Sequence, residues 1–189
     1  LMTGYAVILG KSSRFKILNK KLVSLRVLLG TCGLITTFGA LNFLPISDAT
    51  VIFMAANLML PLLAFFFLGE SVGKHRIMAI IVGFFGVFLV AAPTGQIEPL
   101  GVAIAFGAAC FHATVQIVLR RLKKENPFAV TYYFTLGGMV VTALFLPWIA
   151  RAPQPDEYFL IFILGCSGGL AQYCLTSAFK NAPATIAAP

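Results

Sequence analysis

Charge is what this sequence has least of. Asp, Glu, Lys and Arg together make up 11% of it, against roughly 25% in a soluble domain. Only six residues are acids and two are histidines. So few ionic groups cannot clothe a water-facing surface, which excludes a soluble fold. They also leave little for acid–base chemistry: no pair of carboxylates falls inside an apolar run, and HExxH and phosphate-loop patterns are missing, so an enzyme finds little support. Cysteine is scarce too. Cys32, Cys110, Cys166 and Cys174 lie inside apolar runs without CxxC spacing, which sets aside disulfides and a metal site. No metal or cofactor is expected, and no catalytic residue.

What is present is apolar sequence, 59% of the chain, with a mean hydropathy of +0.94. The runs are unbroken and about twice the 10-residue alternating segments of a membrane barrel. A helix needs roughly 20 apolar residues to cross about 30 Å of hydrocarbon. Spans are expected at 22–44, 49–68, 77–92, 100–119, 128–150 and 158–179, with partial spans at 1–10 and after Lys180. The fold class is therefore an all-α membrane protein, a multi-span helical bundle, with the lipid bilayer as its first partner.

The net charge of +8 would suggest nucleic acid in a soluble protein. Here the bases fall between apolar runs, with no aromatic–basic interleaving, so nucleic acid is not expected as a partner. Alternate loops are basic: 11–21, 70–76, 120–127 and 180–183. With Arg26 they hold every Lys and Arg except Arg151. The positive-inside rule places them in the cytoplasm of a multi-pass protein of the cell inner (plasma) membrane.

The stretch Ala40–Glu70 organises the chain. A corner at Pro45-Ile46-Ser47-Asp48 leads into a charge-free span that ends at Glu70, and a similar corner returns at Ala178. Sliding one onto the other, Pro183 onto Pro45, also sets Thr185 on Ser47 and Ala187 on Ala49. The repeat unit is then five helices. An odd number of crossings makes the copies inverted, as in secondary transporters. The expected organisation is a first repeat at 1–92, an inter-repeat loop at 93–99 and a second repeat at 100–189. The full protein would have ten spans, and this chain would be a fragment cut at both ends.

Leu68-Gly69-Glu70, the basic turn after it, and Gly83 and Gly86-Val87 before Pro93 resemble the EamA family of the drug/metabolite transporter (DMT) superfamily, as does the corner Ala40-Leu41 with Pro45. That resemblance implies a ten-helix transporter with two EamA-type repeats. It names no substrate. The family commonly places a proline in its fourth helix about a turn earlier, near where Asn57 stands; this chain has Pro61.

Six residues are candidates for a solute cavity. Pro61 lacks an N–H and frees the carbonyl of Asn57, about 14 Å into the span at 1.5 Å per residue. An unpaired group at that depth needs a wet cavity or a neighbouring helix; both readings stay open. His112 is the one titratable side chain expected well inside a span, and Gln116 shares its face one turn on. Such groups mark pathways or bond helices together. Gln172 and Tyr173 stand beside Gly165 and Gly169, offering hydrogen bonds to a solute or merely accompanying close packing. The glycines of the spans at 22–44 and 77–92 are read as packing positions. Arg26 is expected to snorkel to the cytoplasmic surface, Asp48 to cap its span, and Glu70 to meet Lys74 or Arg76. Tyr132, Tyr133 and Trp148 are expected as interface anchors. The expectation is a secondary transporter moving a small-molecule solute (a metabolite or drug-like compound) by alternating access; the alternative is a helical scaffold or assembly subunit without transport. Nothing in the residues fixes the oligomeric state.

Overall fold

In the computed structural model, residues 17–91, 98–149, 153–155 and 157–182 are described. The partial span at 1–10, the bases up to Lys16, Pro93 and the rest of the loop to 97, Arg151, Asp156, the side chain of Trp148 and the corner from Pro183 onward lie outside the described residues.

Seven helices follow in order: α1 (Lys20–Ala40), α2 (Ile46–Phe53), α3 (Ala55–Leu68), α4 (Lys74–Ala91), α5 (Pro99–Arg121), α6 (Pro127–Ile149) and α7 (Glu157–Asn181). Among the described residues, five segments are long and apolar enough to cross a membrane, counting α2 and α3 as one. No strand occurs among the described residues. The helix starts follow the polar letters of the sequence. The side chain of Asn19 accepts from Leu22 N at 3.2 Å to begin α1. Asn126 accepts from Phe128 N at 3.0 Å beside Pro127, the first residue of α6. Pro99 likewise opens α5, where its missing N–H costs nothing.

The expected span at 49–68 is two helices, not one. Met54 interrupts them, and Asn57 N donates to Met54 O, three residues back, at 3.0 Å. Pro61, one turn further on, cannot donate to Asn57, so the turn tightens just ahead of the proline. At the end of α3, Gly69 adopts a left-handed conformation with φ 68° and Glu70 N reaches Ala64 O at 3.3 Å. This is a left-handed stop, which glycine makes without a Cβ penalty. Leu68-Gly69-Glu70 is thus a helix terminator. Asp48 differs from expectation: Pro45 precedes the first residue of α2 and gives no side-chain cap, while Asp48 lies in the first turn, bonded by Ser47 Oγ at 3.0 Å. Its charge suits the positive end of the helix without capping it.

Of the five crossing segments, α5 is the most buried and α7 the least. α1, α2, α3 and α7 all pack on α5; α4 covers α2 and α3, and α6 bridges α1 and α7. Small residues fill much of the core, beside the fully buried Ile52, Leu60, Leu119, Val130 and Phe179. Ala49, Ala55, Ala64, Ala105, Ala108, Ala109 and Ala113 are fully buried, while Phe65, Phe66, Phe85 and Phe88 are exposed. Lipid is as apolar as leucine, so helices associate here by close backbone approach and large side chains face outward. Some glycines serve the same end: a methyl on Gly83 would meet Leu58 Cδ2 at 2.7 Å, and one on Gly101 would meet Phe43 Cβ at 2.8 Å. Those of α7 do not, since Gly165, Gly168 and Gly169 have open space beside them among the described residues.

Adjacent arginines tie the helix ends on the basic side. Arg120 Nη1 donates to Phe179 O at 3.1 Å and Lys180 O at 3.3 Å, and Arg121 Nη2 donates to Phe67 O at 2.9 Å. The orphan carbonyls ending α7 and α3 are thereby satisfied. Glu70 forms an ion pair with Arg120 at 3.6 Å.

Candidate functional site

A cleft of about 790 Å³ opens between α1, α6 and α7. Its walls are Leu34, Ile35 and Phe38 of α1, Phe134, Val141 and Phe145 of α6, and Leu164 with the glycines of α7. Polar atoms gather at few points: Thr31, Thr135, Thr142 and Gln172. Small-solute sites share this form, an apolar enclosure of about 300–1,000 Å³ with a few directed polar groups. Open space beside Gly165, Gly168 and Gly169 follows directly, because these residues form one wall of the cleft.

Against two of the wall residues, Phe134 and Gln172, stands Arg26, which was expected at the surface. That expectation is overturned: Arg26 is 2% exposed. Its guanidinium does not run back to the cytoplasmic end of α1. It lies over Gly30, one turn further in, where a Cβ would overlap Nη1. Only glycine leaves that space. Nη2 donates to Gln172 Oε1 at 2.9 Å, and Cζ stands 4.0 Å from the centroid of the Phe134 ring. Nε is buried without a hydrogen-bond partner. Gly30 is ten residues into α1 and Gln172 nine from the end of α7, so at 1.5 Å per residue the guanidinium sits about 15 Å deep, half the hydrocarbon thickness. Gly30 allows the side chain to fold inward, α6 supplies the ring beneath it, and α7 supplies the amide.

Gln172 is thus the one of the six sequence candidates that lines the cleft. Tyr173 is adjacent in sequence and 39% exposed. His112 lies between α1 and α5. Its Nε2 is 3.0 Å from Thr37 Oγ1, which also donates to Gly33 O at 2.8 Å. When the hydroxyl gives its proton to that carbonyl, the ring nitrogen is the donor to Thr37. Gln116, one turn along α5, has a buried Oε1 with no partner. Asn57 is half-buried on α3, and Pro61 is buried. The neighbours of Asn57, Ala55 and Ala56, pack on Ala109 and Ala113 of α5. These positions flank α5, whereas the cleft lies on the other side of α1.

Sequence reasoning missed Arg26 and Phe134 as site residues. The available signal was Gly30 one turn after Arg26 on the same helical face, a small residue that makes room for a folded-in side chain.

The EamA-like transporter family matches residues 1–92 and 99–189. Among curated relatives, an uncharacterised transporter of Helicobacter pylori is 28% identical over 178 residues, covering 89% of this chain and 60% of the relative. An S-adenosylmethionine uptake transporter of Rickettsia bellii is 32% identical over 158 residues, covering 81% and 53%. A riboflavin transporter of Brucella anthropi is 25% identical over 174 residues, covering 87% and 61%. This chain therefore spans between about half and three-fifths of the length of such relatives. No solved structure matches it significantly. The family is one of transporters rather than enzymes, and with the five apolar segments it makes this a multi-pass membrane protein. The chain belongs to the EamA-like transporter family.

Proposed function

We propose that the protein is a secondary transporter of a small metabolite, held in the cleft between α1, α6 and α7 and moved across the inner membrane by alternating access. The observation that carries this reading is one charged side chain folded to mid-membrane depth against the wall of an apolar cleft. Charges at that depth are expensive and mark solute pathways. The cleft joins α1, from the first expected repeat at 1–92, to α6 and α7, from the second at 100–189, which suits a site at the interface of two inverted repeats. The ten-span architecture, the 93–99 boundary and the cytoplasmic placing of the basic loops belong to the same proposal. The relatives named for S-adenosylmethionine uptake and riboflavin transport make ring-bearing metabolites the first solutes to try.

No acid lies within the membrane-crossing part of the described helices, so exchange or facilitated diffusion serves at least as well as proton coupling. Coupling would run through His112 or through a residue outside the described spans.

The test is uptake and efflux of metabolites in cells lacking, or overproducing, the full-length protein. A transporter shifts specific metabolites and loses that shift on narrowing the cleft with Gly169→Leu while still inserting. A membrane scaffold, the rival reading, shows no shift and instead loses a partner on pull-down.

A further inference from the structure

Among the described residues Arg26 is a buried cation without an anion. A guanidinium keeps its proton in proteins, and a charge taken out of water is costly unless paired. No carboxylate among the described residues lies within ion-pair distance of it. The whole sequence contains six acids, and the five described ones are engaged or distant. Glu70 pairs with Arg120. Both carboxylate oxygens of Glu125 hold the backbone nitrogens of Leu18 and Asn19. Asp48, Glu98 and Glu157 stand at the opposite helix ends; Glu157 is fifteen residues from Gln172 along α7, about 22 Å. Asp156, outside the described residues, is next to Glu157 in sequence.

What touches the guanidinium is neutral: an amide oxygen and a ring face. Both belong to residues that wall the cleft, Gln172 and Phe134. Nε remains without a partner. The guanidinium thus touches two residues of the cleft wall, and a carboxylate can replace the amide with a shorter, charge-assisted bond.

We propose that the solute carries a carboxylate, which Arg26 receives at the cleft wall while the apolar part of the solute lies along Leu34, Phe38 and Phe145. The proposal rests on the transport reading above and narrows it to amphipathic organic acids and amino-acid-like solutes. Gln172 holds the guanidinium in place between solutes, and the Phe134 face fixes its plane.

The experiment profiles metabolites by mass spectrometry in cells carrying the full-length protein as wild type, Arg26→Lys or Arg26→Gln, with insertion followed by fluorescence-detected gel filtration. Each solute that depends on the wild type is then assayed in proteoliposomes against its own amide or methyl ester. The expected result is that the dependent solutes bear a carboxylate, that the neutral derivative competes at least tenfold less well, and that Arg26→Lys keeps part of the transport which Arg26→Gln loses. Dependent solutes without a carboxylate, or equal competition by the neutral derivative, overturn the proposal. The second result assigns Arg26 to a carboxylate from a part of the full-length protein outside this chain. The acid-versus-amide comparison uses wild-type protein and stands even if both variants fail to insert. Identical profiles with and without the wild-type protein remove the transport reading itself.

Discussion

Glu125 Oε1 lies 2.7 Å from the backbone nitrogen of Asn19, across 106 residues of sequence. The same carboxylate accepts from Leu18 N at 3.0 and 3.1 Å, and Glu125 is 4% exposed. Its backbone carbonyl in turn accepts from Lys180 Nζ at 3.3 Å. One residue of the α5–α6 loop therefore fixes the start of α1 and touches the end of α7. Charge-assisted bonds to backbone donors contribute about 1.5–3 kcal/mol each way they are broken. Glu125→Ala is expected to lower the melting temperature of the detergent-solubilised full-length protein by several degrees, and Glu125→Gln by less. An unchanged melting curve for the alanine variant would show that the loop does not anchor α1.

The alanine core makes a second prediction. Ala109 and Ala113 of α5 are fully buried against Ala55 and Ala56. Adding three carbons at either position forces the helices apart, a cost of about 1–3 kcal/mol or more. Ala113→Leu is expected to reduce the monodisperse fraction in gel filtration sharply. Phe66→Leu, at a residue 76% exposed, is expected to leave it unchanged. Equal behaviour of the two would contradict the packing described here.

The bond between Thr37 and His112 is open to a double-mutant cycle. Interhelical hydrogen bonds in membranes average about 0.6 kcal/mol and reach about 1.7. Thr37→Val and His112→Gln are expected to couple by that order in thermal unfolding. Transport by His112→Gln across a pH series separates this bond from a proton relay: an unaltered rate and profile assigns His112 to helix association alone.

Gly69 gives a backbone test. At φ 68° an L-residue costs about 1–2 kcal/mol, although nothing lies near enough to obstruct a methyl sterically. Gly69→Ala is expected to destabilise by that amount and Gly69→Asn by less, read as melting temperatures. If alanine and asparagine are equally harmless, the Leu-Gly-Glu stop does not depend on the left-handed turn.

The spans were legible because the bilayer is an exacting solvent: a run such as Ala49–Leu68 has no other reading, and the described helix ends fall within a few residues of those expected. The corner at Pro45 and the stop at Gly69 were legible because proline and glycine act locally. What the letters did not reveal was direction around each helix. Arg26 sits near the start of α1, where a long basic side chain normally turns back to water. Its inward path depends on Gly30 next to it and on Phe134 and Gln172, more than a hundred residues away. The glycines of α7 drew attention as packing residues, yet the fully buried small residues are chiefly alanines, whose role no periodicity marked. Gln172 was found because amides are rare in such runs; its partner was hidden by an ordinary expectation about arginine.

Arg120 and Arg121 are neighbours on α5, yet they grip different helices, one the end of α7 and the other the end of α3. An axial slide of either helix would strip carbonyls of their donors, so α3, α5 and α7 are coupled at that face like spokes on a hub. Toward the far end of α7, Tyr158 to Leu164 are all exposed, and no arginine among the described residues holds that end. One helix that walls the cleft is thus fastened, among the described residues, at its basic end, by the arginine that also pairs with Glu70.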